Sequence, residues 1–208
     1  MECTMQTAIL SLTASTIAML TTAGALAPSN QGADVLGAAQ ALGQRLRNEG
    51  FVYPRTGLKP GSRTIDCTQF VLKVVEALIP NLPEKASQRI TLADVSAGDA
   101  AGDKNRIVSG GDLRTRGVQQ ALIDLKRGEA VPLAEAGKGD LVQYWMQEAN
   151  GTWFGHAGVI ERIDESAGER RAWLFGSHLS EGGIGTAPAV GLRLIESADR
   201  RIYIVRLR

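Results

Sequence analysis

The sequence predicts an α+β domain, with helices first and an antiparallel sheet after them. Apolar residues recur at helical spacing as far as residue 128, the period changes to alternation from Gly139 onward, and turn residues separate the alternating runs. The length of 208 residues fits one domain on a scale of ~100–200 residues, large enough to hold a core without a disulfide or metal. A net charge of +1, with no basic patch interleaved with aromatics, gives no argument for nucleic acid as a partner.

Residues 1–27 carry no Lys or Arg and one acid, Glu2; an apolar run followed by "TTAGALA" reads as a secretory leader cut near Ala27. That predicts an exported bacterial protein whose mature domain spans 28–208, with no integral membrane span once the leader is removed. Within the domain, Val35, Leu36, Ala39, Leu42 and Leu46 form one helical stripe, and Gly50 stops it. A Pro- and Gly-punctuated loop carrying Tyr53 follows. A second helix starts at Cys67, with Phe70, Val71, Val74, Val75, Leu78 and Ile79 on its apolar face and Pro80 and Pro83 beyond its end. Residues 94–112 read as a long polar connection and 113–128 as another helix. Five strands then follow in "DLVQYWM", "HAGVIERI", "RAWLFGS", "VGLRLIES" and "RIYIVRL", arranged as an antiparallel meander.

The chemistry gathers around one thiol. Asp66 stands at an N-cap with Gln69 three residues on, a looser capping box that puts Cys67 in the first turn of its helix. Free N–H groups and the helix dipole there favour a thiolate, so a lowered pKa and a nucleophilic cysteine are expected. With the leader gone, Cys67 is the only cysteine left and has no internal disulfide partner. A thiol nucleophile needs a base, and the chain has two histidines, His156 and His178. If their strands form a hairpin about a turn near Ala167, residue 156 opposes residue 178, which suits a base and its orienter. Phe175, Gly176 and Ser177 compete for that opposing place. The two histidines, Cys67 and the acids lack close paired ligand spacing, so no metal and no cofactor is expected.

The ordered set Tyr53, Gly57, Gly61, "DCTQFV" (66–71), "KGDLV" (138–142) and "GHAGVI" (155–160) resembles the NlpC-type cell-wall cysteine peptidases of bacteria. The resemblance covers about residues 50–180 and implies a papain-like fold, the helix bearing the nucleophile packed on a C-terminal antiparallel sheet. It further implies Cys67 as nucleophile, His156 as base and Tyr53 as the loop tyrosine of the pocket. The third catalytic position departs from the family pattern, with Phe175 at the strict overlay and Ser177 and His178 just beyond; His178 is the favoured residue. Tyr53, Asp66 and Ser177 are expected on the substrate side. The implied substrate is an amide bond in the stem peptides of peptidoglycan, cleaved through a thioester. The alternatives are an amidase toxin aimed at a competitor's wall, a non-catalytic wall-binding module of the same fold, and acyl transfer in place of hydrolysis.

Overall fold

The computed structural model describes residues 31–54, 61–95, 104–178, 183–187 and 191–208. The expected leader, 1–27, lies outside them. Five α-helices are labelled α1 (Gln31–Asn48), α2 (Cys67–Leu78), α3 (Glu84–Ile90), α4 (Lys104–Ser109) and α5 (Gly117–Asp124). The strands are β1 (Gly128–Ala130), β2 (Leu141–Gln147), β3 (Trp153–Ser166), β4 (Glu169–Ser177), β5 (Ile184–Thr186), β6 (Leu192–Arg193) and β7 (Arg200–Leu207). The fold is therefore α+β, with helices toward the N-terminus and an antiparallel sheet toward the C-terminus. Among the described residues no helix is long and apolar enough to cross a membrane.

The sheet runs β1-β7-β2-β3-β4-β5, with β6 on β4. The predicted meander is present through β2-β3-β4 and continues in β6, which pairs antiparallel with β4. The last strand, β7, returns to pair with the free edge of β2, an order that the strand pattern of a sequence does not encode. The polar connection predicted over 94–112 contains helix α4, whose Ile107 and Val108 are buried. The strand predicted over 190–197 shrinks to Leu192–Arg193, because the Ile195 N–H folds back onto the Arg193 carbonyl and the chain turns into the Ser197–Arg200 bridge.

One face of the sheet is covered by helices. Val35, Leu36 and Ala39 of α1, Phe70, Val71, Val74 and Val75 of α2, and Val118 and Leu122 of α5 pack there against Leu141, Ala157, Val159, Phe175 and Val205. Gly43 lets α1 lie flush on β4, since a Cβ at that position would come within 2.8 Å of the Phe175 ring. On the opposite face Val142, Ile160, Ala172, Leu174, Ile202 and Ile204 form a second apolar cluster. Among the described residues no α-helix contributes to it, and this is the side on which a cleft opens.

Two ties fix the mouth of α2 against the sheet. The Phe70 and Phe175 rings meet at 6.0 Å between centroids, and Ser177 Oγ donates to the carbonyl of Ile65 at 2.6 Å. A short parallel bridge between Val52 and Thr64 holds the Tyr53 segment beside the same mouth.

Candidate active site

Asp66 caps α2 as its spacing predicts. Its Oδ1 accepts from the Gln69 N–H at 2.7 Å and from Thr68 Oγ1 at 2.9 Å, and the Gln69 side chain returns to the Asp66 N–H at 3.4 Å. The carboxylate thus serves the helix end. Cys67 follows at 6 % exposure, packed against the backbone of Ala157 on β3.

The thiol is not activated in the way expected from the helix dipole. Burial, and then the nearby Asp66 charge, push the Cys67 thiol up to about 12, outweighing the N–H groups of Ala157, Thr68 and Cys67 itself, which favour the thiolate. The tyrosines beside it share that environment: burial and then the Cys67 charge raise both Tyr53 and Tyr144 to about 12. At rest Cys67, Tyr53 and Tyr144 are thus protonated and neutral beside the Asp66 carboxylate.

His156 lies on β3 directly opposite Tyr144 of β2. The two rings meet edge-on at 5.6 Å. On its other side, His156 Nε2 is 2.8 Å from His178 Nδ1, and His178 Nε2 is 3.0 Å from the carbonyl oxygen of Gly185 on β5. These contacts determine where the hydrogens sit. A carbonyl only accepts, so His178 Nε2 carries a hydrogen and its Nδ1 is a bare lone pair; His156 must then donate from Nε2. The remaining lone pair of the chain of bonds is His156 Nδ1. Burial lowers His156 to about 3, with the His178 ring adding to the effect, and burial also lowers His178 although the Gly185 and Leu174 carbonyls work against it.

The opposition of the histidines comes from two offsets that cancel. The hairpin turns on Ala167 and Gly168, both at positive φ, which pairs Ser166 with Glu169 and would by itself set Ala157 opposite residue 178. One extra residue at the bulge between Ile160 and Arg162 shifts the ladder, so Ile160 meets Leu174 and Val159 meets Phe175. The unpaired residue is Glu161, whose carboxylate accepts from Thr186 Oγ1 at 2.6 Å and so ties the bulge to β5.

The other candidates for the third position are placed elsewhere. Phe175 packs on the helical face. Ser177 is fully buried on that same face, its hydroxyl bonded to the Ile65 carbonyl, and is not among the residues that line the cleft. Side chains alternate along a strand, so Ser177 and His178 cannot both face the cleft. That cleft, about 690 Å³, is lined by Tyr53, Tyr144, His156, His178, Trp173 and Arg200 among others. Cys67 is not itself among the lining residues; it neighbours two that are, hydrogen-bonding with the Tyr53 side chain and interacting electrostatically with Tyr144. Among the described residues no three His, Cys, Asp or Glu side chains gather closely enough to hold a metal.

Two contributors escaped the sequence reading. Tyr144 could have been found, because the Asn150-Gly151 turn sets the β2–β3 register and so places it opposite His156. The Gly185 carbonyl is a main-chain atom and left no sequence signal. Compared with known proteins, the chain matches no family model, no curated protein and no solved structure.

Proposed function

We propose that the protein is a papain-like cysteine hydrolase that cleaves amide bonds in peptidoglycan stem peptides through a thioester at Cys67. The observation that carries the reading is the hydrogen-bond chain from Gly185 O through His178 to His156, which leaves Nδ1 of His156 as a free base. Cys67 and His156 are both neutral at rest, so the thiol proton moves to Nδ1 as sulfur attacks the carbonyl carbon, in general-base fashion rather than from a preformed ion pair. His178 keeps a lone pair toward the imidazolium that forms. The imidazolium then returns its proton to the leaving amine, and water, deprotonated by the same nitrogen, hydrolyses the thioester. Backbone N–H groups at the mouth of α2 are suited to the oxyanion. The choice of peptidoglycan, and of a site of action outside the cytoplasm, comes from the ordered motifs at 53–71, 138–142 and 155–160 and from the leader-like residues 1–27.

The test is digestion of intact peptidoglycan by the 28–208 chain, with released fragments read by mass spectrometry. The wild type releases stem-peptide fragments, Cys67→Ala releases none, and His156→Ala is slower by at least ~10²-fold. Equal release by wild type and Cys67→Ala would refute the mechanism, and no release by the wild type would refute the activity.

A further inference from the structure

The cleft carries a cation that the thiol chemistry does not use. On the open face of the sheet, Ile202, Tyr144 and His156 stand side by side across three strands, and the neighbouring row is Arg200, Met146 and Phe154. Arg200 is thus one row from the histidine, and it lines the same cleft. Two other arginines of that cleft are already neutralised, since Arg171 and Arg193 share the carboxylate of Glu169 at 2.7 Å each. Arg200 has no acid within ion-pairing distance among the described residues: its Nη1 donates to the Arg193 carbonyl at 3.3 Å, and its buried Nε has no partner at all. Glu148, the one acid among the described residues that line the cleft, is exposed, and its carboxylate accepts from the Asn150 side chain at 3.4 Å.

A guanidinium on the cleft with an orphaned donor is suited to a fork-to-fork pair with a carboxylate. We propose that the cleft holds its substrate by a free carboxylate and that Arg200 receives it. One row along the strands and two strands across amount to ~12 Å, so the carboxylate lies about three residues from the bond at His156. The substrate is then an acidic peptide, not a neutral or amidated one. The proposal rests on the reading of this cleft as the substrate site of the hydrolase.

The test uses the Cys67→Ala chain, which cannot turn substrate over, and calorimetric titration with a disaccharide-tetrapeptide from peptidoglycan. The same compound is titrated after carbodiimide-coupled amidation of its carboxylates. The free acid binds at least ~10-fold more tightly than the amide, Arg200→Gln in the same background removes that preference, and Arg200→Lys restores part of it, with thermal melts showing all variants folded. Equal binding of the two compounds, a preference that survives Arg200→Gln, or binding of neither overturns the proposal. Wild-type hydrolysis is measured in parallel: selective binding without cleavage refutes the hydrolase and leaves the carboxylate site standing, whereas equal cleavage and equal binding of both compounds does the reverse.

Discussion

Cys67 combines a position that should ionise a thiol with surroundings that keep it protonated. The backbone N–H groups of the first turn of α2 point at the sulfur, but removal from water decides the balance. Alkylation of the resting protein by iodoacetamide is therefore slow at pH 7–8, and its rate keeps rising well beyond pH 8.5, the ordinary range of a thiol. A plateau below pH 8 would show a preformed thiolate instead. The contrast also marks what the residue scale hides from a sequence reader. The Asp66–Gln69 cap was legible because both partners lie within one turn, whereas Cys67 is buried at a place where its neighbours include Ala157, Tyr53 and Tyr144, which no local spacing connects to it.

At the scale of elements, the β3–β4 hairpin holds His156 opposite His178. Its pairing was legible because strand residues alternate and a turn fixes register; the compensation between turn and bulge was not, since nothing in "IERID" marks Glu161 as the unpaired member. Glu161 faces no partner across the ladder, so deleting it leaves Ile160–Leu174 and Arg162–Trp173 as consecutive pairs with the histidines still opposed. The deletion variant is expected to fold and to keep hydrolytic activity, at the cost of the Thr186 bond, of order 1 kcal/mol. Inserting an alanine after Glu161 leaves two residues without partners and is expected to abolish activity through a register slip. Peptidoglycan digestion and thermal melts on both variants check this, and a dead deletion beside an active insertion would contradict the register argument.

Across the whole molecule the charge is nearly balanced, and the chain's two histidines are both at the site, so pH effects between about 5 and 7 report on that pair. Both are held below their ordinary value of 6.5 in the folded state. The unfolded chain takes up protons that the folded site refuses, so their stabilising contribution is complete above pH 6.5 and is lost as pH falls toward about 3. Cys67 works in the opposite sense. The unfolded thiol ionises near 9.0 and the folded one near 12, so its contribution is complete below 9.0 and lost across that range. Thermal melts should therefore show greatest stability between about pH 6.5 and 9, and His156→Gln should flatten the acid limb. A wild-type midpoint that does not move between pH 7 and 5 would count against the neutral pair. The fold class was legible at this scale because period and turn residues suffice for it, but the return of β7 beside β2 was not, because strand order is set by packing.

The Gly185 carbonyl decides where the hydrogens of two imidazoles reside, and it belongs to the main chain. Every codon placed at 185 supplies the same oxygen. A library of single substitutions would therefore score that position only for its backbone angle, φ +151°, which side-chain-bearing residues resist. The acceptor itself would go unrecorded in such a map, and replacing the amide at that point by chemical synthesis is the route by which its contribution can be weighed.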